Sequence, residues 1–357
     1  MKNRILSLFL IIVTVVSLFS GCVETEDGPK ELTSYSASSF AYFDTVSKIS
    51  GYAESEAAFA EVIDELFEEL GEYHRLFDIY NSYEGINNLY TINQLVNGEH
   101  QVVKVDRRII DMLLYAKEWY EKTDGRMNIA MGSVLSIWHD YRTEGIDDPS
   151  SAQLPPMSDL TAASDHTDIN NLIIDEENST VYLADPKMKL DVGAIAKGYA
   201  VEMVARMLEN KGITGYAINV GGNIRTVGKK GNGDNWLTGI ENPTENYENP
   251  YIAYIELSGE AIVTSGSYQR YYIVGGKRYH HIIDQETLMP ADKGFMSVSV
   301  ICNNSADGDG LSTALFCMTI EEGLEFVNSL DGVEALWVAN DETVYKSQGF
   351  DKYISKD

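Results

Sequence analysis

Basic residues are scarce in this 357-residue chain: 27 Lys and Arg stand against 55 Asp and Glu, for a formal net charge of −28. That balance argues against a nucleic-acid groove and against a basic membrane-docking face, since both need a clustered positive field. It also means that an anionic ligand must be met by a local cation or a metal. Cysteine is nearly absent, with three in all. Cys22 lies near the start, and Cys302 and Cys317 sit in apolar settings, so buried free thiols are expected rather than a disulfide framework. Repeats and a second long apolar run are missing. So are the glycine-rich phosphate loop and the H-E-x-x-H, G-x-S-x-G and G-x-G-x-x-G strings. Kinase, zinc-protease, α/β-hydrolase and Rossmann readings thus lack their usual support.

The one long apolar run, Ile5 to Phe19, follows Lys2 and Arg4 and ends at Ser20-Gly21-Cys22. A positive start, an apolar middle and a small-residue end make a targeting segment, too short for a firm membrane span. The ending resembles a bacterial lipoprotein signal, with Phe19 where that pattern prefers Leu, Val or Ile. On that resemblance residues 1–21 are a signal peptide and Cys22 carries the lipid, of palmitate type. The mature protein is then anchored to the cell membrane on its extracytoplasmic face. A plain secretory signal and an uncleaved anchor are the alternatives. Residues 22–39, rich in acid and serine, read as a flexible tether. Residues 40–357 are left for one large domain.

Within that domain Phe40 to Tyr52 predicts a first strand. Glu56 to Leu76 predicts a long amphipathic helix with Phe59, Val62, Ile63, Leu66, Phe67 and Leu70 on one face. A second helix is expected over Asp106 to Lys122, then a short apolar one ending at Trp138, then a surface loop around a short helix over Asp140 to Asp168. Alternation predicts strands at Thr214 to Val220, Trp236 to Glu241, Tyr251 to Leu257 and Phe295 to Cys302. Ala261–Ser265 and Gln269–Val274 read as a hairpin, and Asp309–Met318 and Glu321–Leu330 as helices. Antiparallel meanders mixed with helices argue for an α+β fold over a doubly wound sheet.

The centre of the chain is Leu190 to Gly198, L-D-V-G-A-I-A-K-G. Thr180–Leu183 and Met188–Leu190 read as strands entering it. Beyond Asp191, helical spacing takes over from Ile195 through Tyr199, Met203 and Met207 until Gly212. A tight glycine turn lets backbone approach a ligand, and a helix start carrying Lys197 offers N–H groups and a positive end to phosphate. Alone, the string also fits an ordinary strand-to-helix turn with Asp191 as N-cap. Asp309 and Thr313 lie four apart, so a carboxylate and a hydroxyl share one helix face and suit Mg²⁺. An N-capping Asp309 is the plainer account on spacing alone, and Asp307 competes for the same role. In His280-His281-Ile282-Ile283-Asp284, alternation puts His281 on one side and His280 and Asp284 on the other. A histidine beside an acid suits proton transfer.

D-V-G-A-I-A-K-G-Y-A, N-V-G-G-N, V-T-S-G-S-Y-Q-R-Y, R-Y-H-H-I-I-D and D-G-L-S-T-A-L-F follow one another in that order. Together they resemble the ApbE family of FAD:protein FMN transferases, from about Phe40 to the C-terminus. The resemblance implies a T-fold-like α+β domain that binds FAD and, with Mg²⁺, transfers its FMN half to a threonine hydroxyl of a target protein, releasing AMP. It implies metal ligation by Asp309, Thr313 and the Ala194 carbonyl, and FAD contacts from Asp191 and Lys197. Phe43, Tyr80, Ala130, Met131 and Gly132 match segments lining the flavin and adenine pocket. His281 matches the motif histidine near the reacting phosphate, and either His281 or Asp284 is the base. No copy of the targets' D-x-x-[ST]-G-A-T motif occurs here. The acceptor is therefore another protein, a membrane-bound or extracytoplasmic electron-transfer subunit. Departures from the family pattern are Asp44 for Gly, Glu202 for Asp, and Gln285 and Leu288 for Pro and Gly. The alternatives to transfer are FAD pyrophosphate hydrolysis and FAD binding without chemistry.

Overall fold

A computed structural model describes residues 14–15, 32–244 and 248–356, so Cys22 and most of the proposed signal and tether lie outside it. The frame is one antiparallel sheet of nine strands. Eight are β1 (Thr33–Ser39), β2 (Ser47–Ala53), β3 (Tyr216–Val220), β4 (Asn223–Val227), β5 (Ala261–Gly266), β6 (Phe295–Cys302), β7 (Glu334–Ala339) and β8 (Val344–Lys346). Each pairs with the next in the chain, and Thr14–Val15 pairs outside β1. Sequence order and spatial order coincide, which is the α+β arrangement expected.

Strand alternation gives the sheet two apolar faces. On β6, Val298, Val300 and Cys302 enter the main core while Ile301 points to the opposite side. On β7, Ala335 and Trp337 do the same against Leu336 and Val338. The second face is closed by the hairpin Trp236–Glu241/Tyr251–Leu257, which buries Ile240, Ile255 and Leu257. The first face carries α1 (Glu56–Phe77), α4 (Ala196–Asn210) and α5 (Ser305–Phe316). The excursion from β2 to β3 also holds α2 (Arg107–Lys122) and α3 (Gly132–Asp147), and α6 (Ile320–Asn328) follows α5. The α1 pattern is as expected: Ser55 caps it by accepting from the Ala58 N–H, and Phe59, Ile63, Leu66 and Leu70 are buried.

Some boundaries move. The expected strand at 40–52 is interrupted: Phe40 to Val46 form the turn between β1 and β2, with Phe43 and Asp44 at φ 54° and 50°. The last seven residues of the expected tether are β1, paired along their length with β2. Serine hides that strand in the sequence, since only Tyr35 and Ala37 of T-S-Y-S-A-S-S are buried. Helix α3 runs on past Trp138 to Asp147, because its later residues are polar simply for facing outward or into the cleft. β5 lies between β4 and β6, and Tyr271–Val274 pairs instead with Lys277–His280. Met188–Leu190 is no strand; Lys189 makes a single bridge to Met131.

Two contacts hold α4 against α5. At Gly198 a Cβ would collide with the Asp309 side chain and the Ser305 carbonyl, so only glycine allows the crossing. One turn later Glu202, 2% exposed, accepts from the Ser305 N–H at 2.9 Å, Arg225 Nε at 3.1 Å and Arg206 Nε at 2.9 Å. Its carboxylate thereby satisfies a free N–H at the start of α5 and ties α4 and β4 to it.

Candidate active site

Where the turn into α4 meets α5, β5 and α3, the surface opens into a cleft of about 400 Å³. One wall is the α4–α5 crossing. Lys197, in the first turn of α4, places Nζ 3.7 Å from Asp309 Oδ1. Asp309 Oδ2 accepts the Gly198 N–H at 2.8 Å. Gly198 is in the first turn of α4, where backbone N–H groups lack an intrahelical carbonyl, and Asp309 satisfies this one. Ala194, in the turn before the helix, and Thr313, one turn along α5, line the cleft with it. Asp309 is no N-cap: Asn304 caps α5, accepting from the Ala306 N–H. Asp307 is engaged elsewhere, bound by the Tyr115 hydroxyl and by Trp119 Nε1 at 3.0 Å. Asp191 is likewise no helix cap, since its Oδ1 accepts from the Gly193 N–H at 2.9 Å within the turn. Burial pushes its carboxyl above the usual range, against the Gly193 hydrogen bond and the Arg142 and Lys197 charges.

His281 also lines the cleft. Its backbone N–H and its Nδ1 both meet the Arg270 carbonyl, at 3.1 and 3.2 Å. A carbonyl only accepts, so Nδ1 bears the proton and Nε2 keeps a free lone pair. Burial first, then the Arg270 and Arg142 charges, push the imidazole down to about 3. The unfolded chain therefore binds more protons than the folded one between about pH 3 and 6.5, and stability falls as pH drops through that window. His281→Gln should remove about 1–2 kcal/mol of the loss between pH 7 and pH 5. Urea midpoints at the two pH values check this; equal losses in variant and parent would refute the assignment.

The ApbE family profile matches residues 43–337. The chain belongs to the ApbE family. It is 31% identical over 282 residues to the FAD:protein FMN transferase of Klebsiella pneumoniae (strain 342), covering 76% of this chain and 84% of that protein. Against the FAD:protein FMN transferase of Vibrio cholerae it is 30% identical over 308 residues, 86% and 87% of the two. The crystal structure of the ApbE protein from Thermotoga maritima superposes with a TM-score of 0.77 at 26% identity, covering 91% of this chain and all of that one.

Of the residues that the ApbE pattern nominates, Asp191, Ala194, Lys197, Tyr80, Met131, His281, Asp309 and Thr313 meet in the cleft. Tyr80 stands exposed at its rim, its ring 5.1 Å from that of His139. Four do not line it. Phe43 packs on His74, to whose Nδ1 its N–H donates at 3.2 Å. Ala130 is fully buried, and Gly132 lies where a Cβ would strike the Lys189 carbonyl. Asp284, 3% exposed, is ion-paired with Lys293 at 2.8 Å and faces a neighbouring cavity. It accepts the Glu286 N–H as well, so it shapes its loop and leaves His281 alone at the cleft. Two departures from the ApbE pattern keep the backbone that glycine would give: Asp44 and Leu288 both have positive φ, 50° and 58°. Arg126 and Arg142 were not singled out from sequence, although Arg142 follows Trp138 at helical spacing; Arg270 was visible only as the end of T-S-G-S-Y-Q-R.

Proposed function

We infer that this chain is an FAD:protein FMN transferase. The hydroxyl of an acceptor protein attacks the FMN phosphorus of FAD. A new phosphoester P–O bond forms, the P–O bond to the AMP phosphate breaks, and its electron pair leaves with AMP. The supporting observation is that Lys197, Asp309, Thr313 and a histidine whose Nε2 is open line one cleft. His281 Nε2 takes the acceptor's proton. Burial and the Arg270 and Arg142 charges hold its proton affinity low, and the negative phosphates of bound FAD oppose those charges and raise it. Lys197 holds the pyrophosphate against the α4–α5 wall, and the exposed Tyr80 ring offers a stacking face to the flavin.

The Asp309 carboxylate, Thr313 hydroxyl and Ala194 carbonyl are hard oxygen donors that fit Mg²⁺. A single acid in the set leaves coordination positions for phosphate oxygens. Bound there, Mg²⁺ supplies charge neutralisation that makes the phosphorus more electrophilic. The acceptor is a threonine in a D-x-x-[ST]-G-A-T segment of a separate electron-transfer protein. The enzyme works outside the cytoplasm, tethered by lipidated Cys22; the support is the signal-like sequence alone.

The deciding measurement is the intact mass of an acceptor domain carrying that segment, incubated with FAD and Mg²⁺ with and without EDTA. A metal-dependent gain of one FMN with release of AMP is expected. Free FMN and AMP without a mass gain would replace transfer by hydrolysis, and unchanged FAD would refute catalysis. Lys197→Gln should weaken FAD binding on the order of 10-fold, read by flavin fluorescence titration, because a charge-assisted phosphate contact is lost. Unaltered affinity would remove Lys197 from the phosphate site.

A further inference from the structure

In a chain with twice as many acids as bases, arginines find carboxylates. Among the described residues Arg75 pairs with Glu72, Arg107 with Asp111, Arg108 with Asp106, and Arg206 and Arg225 with Glu202. Within the cleft, Arg126 lies 3.8 Å from Asp124 and 4.0 Å from Glu322. Arg142 and Arg270 break the rule. Both line the cleft, and neither has a carboxylate within ion-pair distance among the described residues. Arg142 donates Nη2 only to His139 Nδ1, at 3.1 Å. The nearby acid Asp191 accepts from its own turn instead. Arg142 is held below the usual arginine range, first by burial, with the Arg270 charge adding to it. Two like charges that face one cavity cost free energy unless an anion is brought between them.

We propose that Arg142 and Arg270 form an anion clamp in the cleft that Lys197 also lines, holding the phosphate of the FMN half that is transferred. The reason for choosing that phosphate is position. The Arg270 carbonyl accepts both the N–H and Nδ1 of His281, the group that meets the acceptor hydroxyl, and Arg142 lines the same cleft, whereas Lys197 stands 3.7 Å from Asp309. A forked guanidinium also suits the equatorial oxygens of a phosphoryl group in transfer. The assignment rests on the flavin-transferase reading for the identity of the ligand, but the clamp itself needs only a phosphate.

The test uses the purified protein and its Arg142→Gln and Arg270→Gln variants. Arg270 fixes His281 through its backbone carbonyl, which the substitution leaves in place. FMN and riboflavin, differing by the phosphate, are titrated by flavin fluorescence, and inorganic pyrophosphate by calorimetry. Each variant should bind FMN and pyrophosphate on the order of 10-fold more weakly, with riboflavin affinity within about twofold of the parent, and Arg→Lys should recover part of the loss. Equal weakening for FMN and riboflavin, or no weakening for either, overturns the clamp. Should the parent bind pyrophosphate but no flavin, the functional reading fails while the clamp still stands or falls on the pyrophosphate result.

Discussion

Asp309→Asn should lower FMN transfer on the order of 10³-fold while leaving the folded protein intact. Two roles meet in this carboxylate, and the substitution separates them. As an acceptor it takes the Gly198 N–H at 2.8 Å, tying the start of α4 to α5. The asparagine carbonyl oxygen can take the same hydrogen bond, so the crossing is kept. As a charge it faces Lys197 and contributes the only carboxylate of the proposed metal set, and asparagine cannot replace that. Losing one preorganised electrostatic element at a phosphoryl-type transfer typically costs 10²–10³-fold or more. Transfer rate at saturating FAD and Mg²⁺, beside a thermal melt, reads the two roles apart. Retained activity would move the metal away from Asp309. A melting temperature lowered by many degrees would mean that the charge itself stabilises the fold.

How much of this site was readable beforehand depended on how local its signals are. The α4–α5 wall was legible because its signals are local: D-V-G-A-I-A-K-G is one turn running into a helix start, and D-G-L-S-T puts Asp309 and Thr313 one helical turn apart on a common face. That Gly198 matters for the crossing was not legible, since its neighbours Ser305 and Asp309 are more than a hundred residues away. The choice between His281 and Asp284 likewise needed the partner Lys293, which no alternation pattern reveals. Arg142 was hidden by its own polarity: a helix end with His139, Arg142 and Glu144 looks like a loop when no apolar stripe accompanies it. In the sheet, alternation found β3 and β6 well. It missed β1, where serine replaces apolar residues, and mispaired β5, because neighbours in a meander are set by turns and not by the strands themselves.

The largest loss of stability is expected from Glu202→Ala, about 3–5 kcal/mol. Glu202 is buried on α4 between three donors, and each loses something different. Arg225, 4% exposed, would keep only the more exposed Glu209 at 2.8 Å and nearby backbone carbonyls, leaving much of its charge uncompensated in the interior. The Ser305 N–H, at the start of α5, would be an unsatisfied buried donor. Arg206 is half exposed and can return to water, so its share is small. The energetic cost therefore falls on the two groups that fix α5 relative to α4 and β4, and α5 carries Asp309 and Thr313. For that reason transfer activity should fall in the variant even at temperatures where it stays folded. Glu202→Asp keeps the charge on a side chain one methylene shorter and should lose only part of the stability. Chemical denaturation of the three proteins gives the ranking. If alanine cost less than about 1 kcal/mol, within the range of ordinary surface substitutions, the carboxylate could not be what holds the two helices in register.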